Sequence, residues 1–535
     1  MTRKPLILIA IALGLAWAVD LLFWHQSAGL NFILWTALLL AGLEALRRME
    51  GIPLALPSAV LQAAILSLAA WALLRAEGFT VFLAISSSLL GLAVLAATYT
   101  NGCWWRLRLL DFVMPLLNLI GGALARPFTL GSEMKAAAAE DGQETAWQSA
   151  RGAIFAVLRG LLLALPLLLV LAALLASADL IFAQQLEKIA DWFDLSRWGE
   201  YIFRFFYILL FAYLLTGALL HSLRPRQQAA APDPQKERIK PFLGFIESAV
   251  ILGAVDLLFA VFVAIQFRYL FGGEANINIT GFTYSEYARR GFGELVAVAV
   301  ISLLTYLALS AVTRTDKRKT QTAFSVLSLL LVGLVLTLLA SSLLRLGLYE
   351  NAYGFSRLRT YTHFFIPWLA ALLLATAVFE VLRKRHLFTL ALLISAFGFI
   401  TTMGMMNVDG FIVRQNVLRS VSGKPLDNQY LLTLSSDAVP ALARLAADES
   451  LPQDIRGRLA SNLACRARLL EEEDPSTWQS FSLSEQRAQS ILTQQTALWE
   501  TVKLSKDGND LWQTTWENDT LTCNPYQWDD LTLMD

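Results

Sequence analysis

Apolar stretches of about twenty residues recur along this chain, separated by short polar loops. A helix rises 1.5 Å per residue, so about 20 residues cross the ~30 Å hydrocarbon layer of a bilayer. Eleven such stretches stand near residues 5–25, 28–47, 55–74, 78–99, 152–177, 199–222, 242–270, 290–312, 320–346, 362–382 and 386–406. Lipid offers no partner to backbone N–H and C=O groups, so each stretch is read as a helix that bonds within itself. Composition agrees. Hydrophobic residues make up 56% and charged residues 16%, against about 25% charged in soluble domains, and the mean hydropathy is +0.52. The expected fold is all-α: a polytopic membrane domain of about eleven transmembrane helices over residues 1–406, then a small helical extramembrane domain over 407–535.

A second span follows the first almost at once, which does not fit a cleaved signal peptide. Leu109–Leu124 and Leu180–Trp198 mix apolar and charged residues at helical spacing and read as amphipathic surface helices. The first of these has an alternative reading as a twelfth span. Lysine and arginine in short loops set orientation. Arg3 and Lys4, Arg47 and Arg48, the group Arg106, Arg108, Arg126, Lys135 and Arg151, then "RPRQQAAAPDPQKERIK", "TRTDKRK" and "RKRH" all fall on one side of an eleven-helix count. That side is expected to be the cytoplasm. The amino terminus is then inside and residues 407–535 outside.

The tail reads as helical. "DAVPALARLAADE" opens with Asp437 as a candidate N-cap and carries Pro440 in its first turn. "PQDIRGRLASNLACRARLLEEE" and "LSEQRAQSILTQQTALWETVK" repeat apolar residues at helical spacing. Trp499, Trp512, Trp516 and Trp528 are its candidate anchors. Three cysteines are too few for a disulfide framework. Cys465 and Cys523 nevertheless both fall in the tail, where an oxidising exterior would let them pair. Two separate buried thiols are the alternative. Cys103 falls at the cytoplasmic end of the fourth span.

Nucleotide-binding, zinc-protease and nucleophile-elbow motifs are absent. The four histidines, His25, His221, His363 and His386, are too scattered for a metal site, so no catalytic residue, metal or cofactor is assigned. With 43 basic and 43 acidic residues the net charge is zero, and no basic bias points to nucleic acid. What remains is a set of polar motifs on the expected outer face. In "TYSEYARRGFGELVAV", Glu286, Arg290 and Glu294 stand four apart on one helical face. In "RLGLYENAYGFSRLRTYTH", Arg345, Glu350, Arg357 and Arg359 alternate with Tyr349, Tyr353 and Tyr361. "NVDGFIVRQN" adds Asn407, Asp409, Arg414 and Asn416. Arginine can grip a carboxylate or phosphate with two parallel bonds. The set therefore reads either as a pocket for an anionic ligand or lipid headgroup, or as a structural network tying three loops to the tail. Asp256 sits mid-span in "SAVILGAVDLLFAVFVAIQF". A charge there costs a few kcal/mol on insertion scales, so it must face protein or water. It is either a proton or cation relay or a hydrogen-bonded packing residue.

The motifs "FRYLFGG", "TYSEYARRGFGELVAVAV", "AYGFSRLR" and "NVDGFIVRQNVLR…LDNQYLLTLSSDAVPAL", in that order, resemble the bacterial multi-pass membrane proteins of domain of unknown function 4173 and its relative 4153. The resemblance runs from about Pro241 to Leu445. Family members often read Asn-Pro-Asp where this chain has Asn407-Val408-Asp409. The resemblance implies a bacterial envelope protein in the cytoplasmic (inner) membrane and no particular activity.

Two classes of function follow. One is a non-enzymatic regulator or scaffold whose partners are membrane lipids and a protein at the tail. The other is a transporter or membrane enzyme that handles an anionic lipid-linked or envelope substrate at the Arg/Tyr cluster. Transporters usually show repeated halves with broken helices, and no such pair stands out here.

Overall fold

A computed structural model of the chain describes residues 5–140, 195–223, 241–270, 292–314, 317–472, 477–508, 510–517 and 519–524. Ten of the described helices are long and apolar enough to cross a membrane. They are α1 (Pro5–Phe23), α2 (Leu30–Glu50), α3 (Leu56–Leu74), α4 (Gly78–Thr98), α6 (Leu195–Leu223), α7 (Phe245–Leu270), α8 (Phe292–Val312), α9 (Arg318–Tyr353), α10 (Arg357–Val381) and α11 (Phe388–Met406). Each matches an expected span, and the chain is an all-α polytopic membrane protein. The span expected at 152–177 lies outside the described residues, as does the amphipathic segment from Leu180 up to its last few residues, which open α6.

The stretch at 109–124 forms a short 3-10 turn, Leu109–Phe112, and then one continuous helix, α5 (Val113–Glu140). Helix α5 is not among the membrane-length apolar helices. It packs near the carboxyl end of α6, where Arg126 donates to the Leu220 carbonyl at 3.1 Å. A Cβ on Gly217 would stand 2.2 Å from the Ala123 carbonyl oxygen, so only glycine allows this approach. Lipid tails are as apolar as leucine, and helices in a bilayer therefore associate by close packing and polar bonds rather than by hydrophobic burial. Gly404 makes the same point on α11, where a Cβ would press into the Trp71 ring at 2.4 Å.

Contacts sort the helix ends into two groups. At one end the α2–α3 connection meets the chain after α4: Ser58 donates to the Tyr99 carbonyl at 2.8 Å, Trp104 to the Pro57 carbonyl at 2.9 Å, and Tyr99 to Glu44 at 3.2 Å. Glu380, also at this end, accepts from Tyr306 and Ser325 at 2.6 Å and from both prongs of Arg385. At the other end the connections after α1, α3, α9 and α11 all touch the tail. Leu30 and Asn31 donate their backbone N–H groups to the carbonyls of Phe481 and Gln479, each at 2.9 Å.

The tail contains α12 (Val408–Val421), α13 (Asn428–Leu432), α14 (Val439–Ala446), α15 (Gln453–Glu472) and α16 (Leu483–Gln494). Its core joins Ile412, Val413 and Val417 of α12 to Leu442 of α14, Leu459 and Leu463 of α15, and Leu492 of α16. Three antiparallel strands follow, β1 (Lys503–Lys506), β2 (Trp512–Trp516) and β3 (Asp519–Thr522), in that order across the sheet. A small helical tail was expected, and beside its helices stands this short sheet, which was not. "WQTTW" is aromatic and β-branched at a period of two, with Thr514 buried between half-buried neighbours. Lys506 pairs with Trp512, and the Asp507 N–H donates to the Leu511 carbonyl at 2.9 Å. The Trp516 ring lies over Gly457 of α15, where a Cβ would stand only 2.0 Å away. Trp499 is buried, Trp512 and Trp516 are half-buried, and Trp528 is outside the described residues. A disulfide joins Cys465 of α15 to Cys523 just after β3, with Cα atoms 5.1 Å apart. Cys103 is buried and stands outside this bridge.

Candidate functional site

At 1.5 Å per residue the 36 residues of α9 run for about 54 Å, longer than the hydrocarbon layer. Its last turns therefore rise beyond the apolar span and carry Arg345, Tyr349, Glu350 and Tyr353 towards the tail. The helix stops at Gly354, whose φ of +85° lies in the region that favours glycine. Its N–H bonds the Glu350 carbonyl at 2.8 Å. Helix α10 then begins with Arg357 and Arg359 in its first turn. Cations there oppose the positive end of the helix dipole and need partners from elsewhere.

Arg357 finds one in Asp409. The guanidinium donates to both carboxylate oxygens, at 2.9 and 2.7 Å. Asp409 is 0% exposed and accepts a third bond from the Ser435 backbone N–H at 2.7 Å. The Arg357 backbone N–H donates to the Tyr430 hydroxyl at 2.8 Å. Asp409 reaches this position because Asn407 breaks the chain between α11 and α12. Asn407 adopts φ +50°, a conformation asparagine tolerates, and its side-chain oxygen accepts from the Gly410 N–H at 2.9 Å. Its amide donates to the Asp437 carbonyl at 3.0 Å. Asn416 pairs both backbone groups of Phe355, accepting at 2.7 Å and donating at 2.9 Å.

Asp437 was expected to cap α14. Instead it sits in a 3-10 turn, Ser436–Ala438, with its N–H held by the Ser435 hydroxyl at 3.3 Å. Its carboxylate points across to the α3–α4 connection. It accepts from the backbone N–H groups of Ala76 and Glu77 at 2.8 and 3.0 Å, from Arg75 at 3.2 Å and from Ser484 at 2.7 Å. Arg75 also donates to the Gly404 carbonyl at 2.6 Å. Glu77 caps α4 by accepting from the N–H groups of Phe79 and Thr80, and Tyr361 of α10 donates its hydroxyl to the same carboxylate. Arg75 and Glu77 escaped the sequence reading as individual residues. The signal was there in "RAEG", a charged loop of four residues between two apolar spans.

The other expected site residues divide. Glu350 is buried and pairs with His363, whose Nδ1 lies 3.0 Å from its carboxylate. Arg359 stacks over the Tyr349 ring at 4.1 Å. Arg345 is buried, and Tyr353 is exposed with its ring against Tyr349. Arg414 does not join the Asp409 pair. It is exposed on α12. Glu294 is exposed in the first turn of α8, while Glu286 and Arg290 lie outside the described residues. Asp256 is 3% exposed on α7, away from this network, and neither carboxyl oxygen has a hydrogen-bond partner among the described residues. Among the described residues no three His, Cys, Asp or Glu side chains converge where they could hold a metal ion.

A family model described as a domain of unknown function (DUF4153) matches residues 62–445. The match begins in α3 and ends in α14, and so takes in the Arg357–Asp409–Ser435 and Asp437–Ala76–Glu77 bonds, while Ser484 of α16 lies beyond it. It extends well upstream of Pro241, where the resemblance in the sequence began, and it is to the 4153 family rather than to 4173. No curated protein and no solved structure matches the chain.

Proposed function

This chain belongs to the DUF4153 family, and we propose that it is a non-enzymatic scaffold or regulator of the bacterial envelope that holds its carboxyl-terminal domain against the outer ends of its membrane helices. The Arg357–Asp409–Ser435 and Asp437–Ala76–Glu77 bonds carry this reading. A buried carboxylate with three or four short bonds to its own chain has its acceptor sites filled and offers little to a substrate. The same bonds tie the first turn of α10 and the α3–α4 connection to the tail at two separate points. A hinged or mobile tail would not need both. The membrane is taken to be the cytoplasmic one, with the amino terminus inside and the tail outside, because the loops at the opposite end carry "TRTDKRK" and "RKRH" and because the tail holds a disulfide. A protein partner would meet the face of the tail turned away from the helices.

Hydrogen exchange on the purified full chain tests the clamp. Asp437→Ala is expected to speed exchange at Ala76, Glu77 and residues 435–446 while leaving α15 protected. Unchanged exchange at Ala76 and Glu77 would contradict the clamp.

A further inference from the structure

We propose that Arg359 and Arg419 form a binding site for a phosphate group, as carried by an anionic phospholipid headgroup or by soluble phosphate, beside the clamp at the tail-facing end of the helices. Arg357 is occupied by Asp409, but Arg359, two residues on, makes only neutral bonds. It donates to the Gly354 carbonyl at 2.6 Å and to the Tyr349 hydroxyl at 3.1 Å. Arg419 comes from the last turn of α12 and has one long bond, to the Pro425 carbonyl at 3.3 Å. Its Nε and Nη1 are shielded from solvent and have no hydrogen-bond partner among the described residues.

The two guanidinium groups converge on Gly354. Arg359 bonds its carbonyl, and Arg419 Nη2 lies 2.9 Å from where a Cβ on that residue would stand. Gly354 thus leaves the space that admits Arg419. Burial first, and then the Arg359 charge, push the Arg419 pKa down, and no described carboxylate offsets them. Two half-buried cations side by side repel unless an anion joins them. Donors left without partners are costly when buried. A phosphate answers both, because its oxygens accept paired N–H bonds from the planar arginine fork. The position fits as well. Both arginines stand at the tail-facing ends of the helices, where the apolar stretches of α9 and α10 give way to polar residues, and Tyr349 supplies an amphipathic ring of the kind found at membrane interfaces.

This site shares no side chain with the Arg357–Asp409 clamp, so either can fail without the other. The test uses the full chain in two arms. In one, delipidated protein in neutral detergent is titrated with inorganic phosphate. In the other, nanodiscs of phosphatidylcholine alone are compared with nanodiscs that also contain phosphatidylglycerol. The readout is the thermal midpoint. A rise is expected in at least one arm, and which arm responds identifies the source of the phosphate. Arg359→Gln and Arg419→Gln are each expected to weaken the apparent affinity by about tenfold or more, the size of a lost charge-assisted pair. Lys503→Gln, on an exposed strand, is expected to leave it unchanged. Should a glutamine variant fail to fold, Arg419→Lys keeps the charge but loses the fork and is expected to bind several-fold more weakly. No rise in either arm, or an equal rise in the Arg419 variants, would overturn the proposal. So would an equal loss in Lys503→Gln, which would mark non-specific charge.

Discussion

Asp409 is fully buried, and its charge is tolerated because Arg357 and the Ser435 N–H surround it. Removing one partner of a buried pair costs more than the pair contributes, since the other charge is stranded. Arg357→Ala is expected to destabilise the protein by about 3 kcal/mol in detergent melts. The double change Arg357→Met with Asp409→Leu should recover most of that. If the double variant is as unstable as the single one, the cost does not come from a stranded charge. Tyr430 gives a pH dependence. Burial raises its pKa from 10.0 to about 12. The folded state thus favours the neutral phenol, and this stability is fully present below pH 10.0 and lost as the pH rises through about 12. Melts in that range should fall more steeply for the wild type than for Tyr430→Phe, and parallel curves would count against the shift. Much of this was readable in the sequence. Arginines on the expected outer face required partners, and "NVDG" placed an acid within reach. The choice among partners was not readable, because Asp409, Asp427 and Asp437 are equivalent in a string of letters. Only the turn at Asn407 and the 3-10 turn before α14 direct one to Arg357, one to the α13 N-terminus and one to Ala76.

Among the elements, the membrane helices were legible because an apolar run of twenty residues permits one conformation in lipid. The tail sheet was not. Its strands are four and five residues long, and a run so short carries little periodicity. What stabilises the sheet is its packing on α15, a contact distant in sequence. The Cys465–Cys523 bridge fastens that contact and closes a separation of 58 residues. A loop of this size contributes about 3–4 kcal/mol in the chain-entropy model. Reduction is therefore expected to lower the melting temperature and to raise exchange first in β2 and β3. Full alkylation of both cysteines without reductant in native membranes would show that the bridge is absent. Within α7, Asp256 has no described hydrogen-bond partner, so Asp256→Asn is expected to leave folding intact. A loss of fold would mean that the carboxyl holds a partner the helix requires.

For the whole molecule, two features agree. Among the described residues, Arg47, Arg48, Arg106, Arg108, Arg383, Lys384 and Arg385 gather at one end of the helices, and the tail with its disulfide gathers at the other. Helix α4 ends at Thr98 beside the α2–α3 connection, whereas α6 begins beside the tail, where Glu200 accepts a bond from Trp24 at 2.9 Å. Helices α4 and α6 thus run in the same sense. The account stands or falls on which compartment holds the tail. Alkaline phosphatase, active only outside the cytoplasm, and a green fluorescent protein that fluoresces only inside can each be fused after Asp535. An active phosphatase with a dark fluorescent fusion is expected. A bright fluorescent fusion with a silent phosphatase would place the clamp, the disulfide and the arginine pair in the cytoplasm and contradict the proposed function.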